Sequence, residues 1–315
     1  MSADRRLRAQ LVVNPHASSV DASVQQRLLS ELAEGLNVET CATHEKGGAR
    51  ELAAQALADG DAELLITVGG DGTVNEVAQA LAGSDLPLVP LPGGSTSVFA
   101  RALGYPNDVR AAARRLLDGE LSPRRIDLGH VSGDGQPERR FLFSAGIGVD
   151  AAVVQRVDAQ PALKRAFRGG FFAAVAAATV AQHYLGRAPS LIVESGDGET
   201  EGVTAAPQNG PIFSFLGRRP LRLSPHARAD DGRLGLAVLR AAPVLGAVGL
   251  GRTLLSGEPQ RVADHRDVAS MGAITAARIR ALGHRRLPLQ VDGEFLGELG
   301  QVEVGVRPGA LLVLA

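Results

Sequence analysis

The chain has one cysteine, Cys41, no tryptophan and only two lysines, Lys46 and Lys164, among 315 residues. A single cysteine excludes an internal disulfide and a four-cysteine zinc site. With so few lysines, and none in a glycine loop, there is no Walker G-x-x-x-x-G-K-[ST] sequence. Aromatic residues make up only 3%, so the cores must be built from Ala, Val and Leu, and binding of single-stranded nucleic acid on stacked rings is disfavoured. A net charge of −1 supplies no global basic field for a polyanion, and no nucleic-acid partner is expected. Long hydrophobic runs are also missing. The most apolar helical stretch, Gly170 to Val180, falls short of the roughly 20 residues of a bilayer span and reads as a buried helix. The N-terminus, Met1 to Gln10, is charged and lacks an apolar signal core, so a cytoplasmic protein without a transmembrane span is expected.

What is present is a glycine turn, Val68-Gly69-Gly70-Asp71-Gly72-Thr73-Val74-Asn75-Glu76-Val77. An apolar strand, Leu64 to Val68, runs into it, and a helical pattern (Val74, Val77, Ala78, Leu81) leaves it. Glycines bare the backbone N–H groups and the helix N-terminus adds partial positive charge, which together seat a phosphate. Asp71 in that seat would repel phosphate unless a cation lay between them, so the expected job is holding Mg²⁺ or ordering its water shell. The dinucleotide fingerprint is absent, since Asn75 stands where its third glycine belongs.

The first ~120 residues alternate strand and helix: Ala9–Asn14, Asn37–Cys41, Leu64–Val68 and Leu88–Leu91 as strands, Val24–Leu36 and Ala49–Leu57 as helices between them. This rhythm predicts a Rossmann-like parallel sheet with helices on both faces, binding ligands beyond its C-terminal strand edge. Loops gathered at that edge carry Asn14-Pro15, Thr43, Gly47-Gly48, and a second glycine loop, Pro92-Gly93-Gly94-Ser95-Thr96-Ser97, which leads into another helix. From residue 123 onward short β-rich runs are separated by turns such as Asp231-Gly232 and Asp292-Gly293. An antiparallel, β-sandwich-like domain with helical insertions is expected, so the fold class is α/β plus β. The domains read as 1–122 and 123–315, with the last segment allowed to return to the first domain. Basic clusters (Arg139-Arg140, Lys164-Arg165 with Arg168, Arg218-Arg219 with Arg222, His284-Arg285-Arg286) read singly as solvated faces and as a set as a membrane-facing surface.

Gly69-Gly70-Asp71-Gly72-Thr73-Val74-Asn75-Glu76 resembles the nucleotide motif of the diacylglycerol kinase catalytic domain family, which includes sphingosine and ceramide kinases and bacterial soluble lipid kinases. Other stretches resemble that family in order: Asn14-Pro15, Pro92 to Arg101, Ile126-Asp127-Leu128-Gly129, Ser144 to Asp150, Asp230-Asp231-Gly232-Arg233-Leu234 and Val291-Asp292-Gly293-Glu294. The resemblance implies ATP lined by Asn14, Pro15, Thr43, Gly69, Gly70, Asp71, Gly72, Thr73, Asn75, Glu76, Gly94 and Ser95. It implies a lipid alcohol in an interdomain cleft, most readily diacylglycerol, phosphorylated with Mg²⁺. It places the general base in the Asp292-Gly293-Glu294 turn, as phosphoryl transfer to an alcohol requires, and leaves open which carboxylate serves. It also gives Asp231 a structural Mg²⁺ with the carbonyls of Arg228 and Arg233. Contact with the membrane would be peripheral, on its inner face, and a homodimer stays open.

The chain departs from the pattern at Ala17-Ser18-Ser19, where Ser-Gly is usual, and at Ser97-Val98, where Asn-Asp is common. Three other readings compete: a sphingoid-base or other lipid-alcohol kinase, an NAD kinase, which shares G-G-D-G-T, and a non-catalytic lipid- or nucleotide-binding regulator.

Overall fold

The computed structural model describes residues 6–15, 17, 20–159, 188–240 and 247–315. The helix expected over Pro161–Leu185, with Gly170–Val180 inside it, and Ser18-Ser19 of the first loop lie outside these residues. The chain divides into two compact units, Met1–Ile126 with Gly309–Ala315, and Asp127–Pro308.

The first unit runs β1 (Leu7–Val13), α1 (Ala22–Gly35), β2 (Leu36–Ala42), α2 (Gly48–Asp59), β3 (Leu64–Gly69), α3 (Asp71–Leu81), β4 (Leu88–Pro92), α4 (Val98–Ala102) and α5 (Val109–Leu117). Its strands lie in the order β2-β1-β3-β4, all parallel. Alternation explains the two helical layers. Ala9, Leu11 and Val13 of β1 and Leu64, Ile66 and Val68 of β3 share a buried cluster with Leu28 and Leu32 of α1 and Ala112 and Ala113 of α5. The intervening Val12 and Leu65, also buried, point to the opposite face. Helices α2 and α3 pack against each other. Local capping follows the sequence: Asp21 accepts from Val24 N at the start of α1, and Asp108 accepts from Ala111 N at the start of α5.

The second unit contains β5 (Pro123–Gly133, which begins in the first), β6 (Gln136–Phe141), β7 (Ala145–Gly148), α6 (Val149–Asp158), β8 (Leu191–Ser195), β9 (Gly198–Gly202), β10 (Thr204–Gln208), β11 (Ser214–Leu216), β12 (Arg219–Leu221), β13 (Leu234–Leu239), α7 (Ala247–Ser256), α8 (Pro259–Ala263), β14 (Val268–Ile274), β15 (Ala276–Ala281), β16 (Leu287–Val291), β17 (Glu294–Leu299) and β18 (Gln301–Leu314). One sheet runs β14-β13-β10-β7-β16-β17, antiparallel throughout. Facing it are β18, β15, β8 and β9, also antiparallel, with the β5–β6 hairpin. Inward residues of both layers form one core, Ile147, Leu236 and Leu289 meeting Phe141, Val193 and Ile279. Residues 301–314 form the single long strand β18. Its end returns to the first unit, where Val313 pairs with Leu88 of β4.

Gly129 and Phe141 oppose each other across β5 and β6. A Cβ at Gly129 would lie 2.1 Å from the Phe141 ring, which is fully buried. Gly129→Ala is therefore expected to cost about 3 kcal/mol through displacement of that ring. Urea unfolding checks this; an unchanged midpoint would show that the ring yields freely.

Candidate active site

In the first unit the two glycine loops lie backbone against backbone. Gly93 N donates to Gly69 O at 2.8 Å. A Cβ on Gly93 would come within 2.8 Å of Gly69 N, and one on Gly94 within 2.8 Å of the Gly70 Cα. Only glycine admits that approach. Asp71 then ties the loops together: its Oδ2 accepts from Val98 N at 3.0 Å and its Oδ1 from Phe99 N at 2.9 Å. It caps α4, because the residue at the capping position, Ser97, makes no such bond and folds its hydroxyl onto Gly94 instead. Burial pushes the Asp71 carboxyl above the ordinary carboxylate range, opposed by the Phe99 and Val98 donors and by the charge of Arg101. The Mg²⁺ role expected for Asp71 thus shares the residue with a structural one.

The other predicted residues of this unit take up places around the same strand ends. Asn14 Nδ2 donates to Thr73 Oγ1 at 3.2 Å, and Thr43 N donates to Val13 O. Glu76 accepts from Gly47 N at 3.0 Å and Ala49 N at 3.2 Å, so this carboxylate holds the start of α2 rather than facing open space. Asn75 is buried and accepts from Gln79. Pro15, Gly72 and Ser95 are exposed at the loop tips, with Gly70 and Gly94 half-buried beside them.

In the second unit Asp292 and Gly293 form the two-residue turn between β16 and β17. Both have positive φ, 48° and 81°, the geometry of a tight hairpin turn that an Asp-Gly pair accommodates. Asp292 is buried, and its carboxylate accepts three backbone bonds: from Leu142 N (2.7 Å), Phe143 N (3.0 Å) and Ser144 N (3.1 Å). Its own N–H donates to Ser144 O. Glu294 is partly open to solvent, and Arg139 Nη2 donates to its Oε2 at 2.9 Å. Behind the turn runs a chain of polar groups. Gly293 N donates to Gln290 Oε1 at 2.8 Å, and Gln290 Nε2 donates to Asp150 Oδ2 at 2.7 Å. Gly146 makes room for this pair, since a Cβ there would sit 2.0 Å from Asp150 Oδ2.

The Asp231 turn is a separate feature of the same unit. Asp231 Oδ1 accepts from Arg233 N, Gly232 N donates to Asp127 Oδ2 at 2.7 Å, and Asp127 N donates to Ala229 O. Among the described residues no group of three His, Cys, Asp or Glu side chains stands close enough to hold a metal ion. The expected set, Asp231 with the Arg228 and Arg233 carbonyls, is instead one carboxylate plus backbone oxygens, hard donors of the type Mg²⁺ takes.

Residues 8–131 match the family model of the diacylglycerol kinase catalytic domain, and residues 144–315 that of the YegS C-terminal NAD kinase beta sandwich-like domain. A Pseudomonas fluorescens protein named "Probable lipid kinase YegS-like" is 30% identical over 97% of this chain and 95% of its own length. A Mycobacterium tuberculosis diacylglycerol kinase is 39% identical over 35% of each chain. The chain belongs to the diacylglycerol kinase family. Within it, the chain is a YegS-like lipid kinase. Two solved structures from Bacillus anthracis str. Sterne, the second described as a diacylglycerol kinase, share the fold. They superpose with TM-scores of 0.73 and 0.66 at 22% and 19% identity, covering 98% of this chain and 96% of each of theirs. Among the described residues of the kinase no helix is long and apolar enough to cross a membrane.

The sequence reading assigned no role to Asp127, Asp150, Gln290 or Asn209, and placed Arg139 only in a basic surface cluster. Asn209 Nδ2 donates to the carbonyls of Asp127 and Leu142, both at 2.9 Å, joining the two acidic turns. Only Asp127 and Asp150 had a signal, as acids inside noted motifs. Burial pushes the Asp150 carboxyl above its ordinary value of 3.8, the Gln290 amide opposing. A carboxyl that binds its proton more tightly when folded loses stability as pH rises from the unfolded value through the folded one. Asp150→Asn keeps an acceptor for Gln290 without charge. Parent and variant should therefore diverge above about pH 4, the variant being the more stable at pH 7. Urea unfolding at several pH values tests this; an equal loss of stability at every pH would contradict it.

Proposed function

We propose that this kinase transfers the γ-phosphoryl group of ATP to the free hydroxyl of diacylglycerol, giving phosphatidic acid, with Glu294 as the proton acceptor. The observation that carries the assignment of the base is the division of labour in the Asp292-Gly293-Glu294 turn. Asp292 spends its carboxylate on three backbone donors, whereas Glu294 pairs with the Arg139 side chain and stays partly solvent-accessible. As the acceptor oxygen attacks, its proton passes to Glu294, the new O–P bond forms, and the bond from the γ-phosphorus to the bridging oxygen breaks, releasing ADP. ATP is held by the paired glycine loops, with Asn14, Pro15, Thr43, Gly69 to Thr73, Asn75, Gly94 and Ser95 around it. Asp71 and Glu76 keep those loops in register. Bound Mg²⁺ would offset phosphate charge, and a second ion would brace the turn at Asp231 with the carbonyls of Arg228 and Arg233. The enzyme would work in the cytoplasm, in peripheral contact with the inner membrane face, where its substrate lies.

Incubation with labelled ATP, Mg²⁺ and micellar diacylglycerol, sphingosine or ceramide tests the acceptor. Labelled phosphatidic acid is expected. Label on a sphingoid lipid would move the acceptor, and formation of NADP from NAD with no labelled lipid would overturn the proposal. Glu294→Gln should lower kcat by about 10²–10⁴-fold with ATP affinity and Tm retained. Asp292→Asn should instead cost about 2–3 kcal/mol of stability, because an amide nitrogen replaces an acceptor facing buried N–H groups. Parent-like turnover by the Glu294 variant would remove it as the base.

A further inference from the structure

We propose that the β11–β12 hairpin and α7 form the surface on which the enzyme docks to an anionic lipid bilayer. The inference rests on the lipid kinase reading for its purpose, and on charge and exposure for its place. Between Val203 and Gly257 the chain has seven arginines (Arg218, Arg219, Arg222, Arg228, Arg233, Arg240 and Arg252) against two acids, Asp230 and Asp231. That is a local excess of five positive charges in a chain of net charge −1.

Ion pairing is sparse among these arginines. Among the described residues, none of the seven has a carboxylate within 4.0 Å. At least twelve described arginines elsewhere do, among them Arg8, Arg110, Arg125, Arg139, Arg280 and Arg307, whereas Arg27, Arg50, Arg114 and Arg285 do not. An ordinary solvated surface intersperses both signs. A run of cations left without counter-charges is arranged for an external anion.

Apolar groups accompany the charge. The large hydrophobic side chains most open to solvent include Leu216, at 45% exposure, and Leu255, at 40%. Leu216 stands at the tip of the hairpin, immediately before Gly217, Arg218 and Arg219, all exposed. Leu255 lies near the end of α7, which packs beside β12. Leu250 and Leu254 of α7 are turned inward onto Ala237, Val262 and Val268, while Arg252 and Leu255 are exposed. Exposed leucines among unpaired arginines match a headgroup layer, where apolar side chains enter the acyl boundary and guanidinium groups stay at the phosphates. A soluble polyanion would use the arginines and leave the leucines idle.

The full-length enzyme is sedimented with phosphatidylcholine vesicles and with vesicles containing one-quarter phosphatidylglycerol. Binding to the anionic vesicles should be at least tenfold tighter and should weaken with added salt. R218E/R219E should lose at least tenfold of that binding, and L216S/L255S should lose several-fold. Both variants should phosphorylate a short-chain diacylglycerol in detergent micelles at the parent rate. Equal binding of parent and arginine variant, or no preference for anionic vesicles, overturns the proposal. Loss in the arginine variant with none in the leucine variant assigns the patch to a soluble polyanion and also overturns it. Failure of the parent to phosphorylate any lipid in micelles would strike the kinase reading alone, since vesicle binding is measured without ATP.

Discussion

The organisation of the candidate site depends on carboxylates that accept backbone N–H groups. Asp71 reaches from the first glycine loop to the amides that open α4. Glu76, one turn and a half along the same helix, reaches to the amides at Gly47 and Ala49. Asp292 gathers the three successive amides of residues 142–144. Such charge-assisted bonds contribute about 1.5–3 kcal/mol each when both groups are desolvated. More to the point, they connect segments far apart in sequence. Loops that would otherwise be the most mobile parts of the fold are fixed to one another.

Glycine makes the first of these clamps geometrically available. The Gly69-Gly70 and Gly93-Gly94 segments approach so closely that a methyl group on Gly93 or Gly94 would overlap backbone atoms of the other loop, and one on Gly69 would overlap the Thr73 side chain. Glycine here serves two ends at once. It permits the loops to touch, and it leaves amide groups uncovered beside a helix N-terminus, where phosphate oxygens bind. The departure at Ser97 belongs to the same geometry. Its φ of 44° is left-handed, a conformation Asn tolerates better than Ser, and its hydroxyl compensates by bonding the Gly94 backbone from both sides.

Much of the first unit was legible because parallel strands buried on both faces read as continuous apolar runs; Leu64–Val68 and Leu88–Leu91 are of this kind. The second unit was legible only where its strands are rich in Val, Ile and Leu. Strands β7 (Ala-Gly-Ile-Gly) and β10 (Thr-Ala-Ala-Pro-Gln) carry no such pattern, and β11 and β12 have three residues each. The acids were legible in the sequence, but their structural hydrogen bonds were not. A carboxylate that caps a helix and one that orders a cation are the same letter in the same turn, and only the position of a partner distant in sequence separates them. Gln290 and Asn209 gave no signal for that reason: their partners are up to 140 residues away.

The turn at Asp292 shows why neighbouring acids need not compete for one role. A two-residue turn with both residues left-handed permits little adjustment, so the direction of Glu294 is set by how firmly the turn is held. Asp292 holds it from the side of residues 142–144. Gln290 holds it from the other side through Gly293 N, and can do so only with its carbonyl toward Gly293 and its amide nitrogen toward Asp150. In its ionised form the carboxylate at 150 accepts and cannot donate, which selects that orientation of the amide, while burial favours the protonated form. Burying that charge is costly. A leucine at 150 would avoid that cost but leave the Gln290 amide nitrogen without its acceptor, so the turn is held by a polar chain that must be satisfied along its whole length.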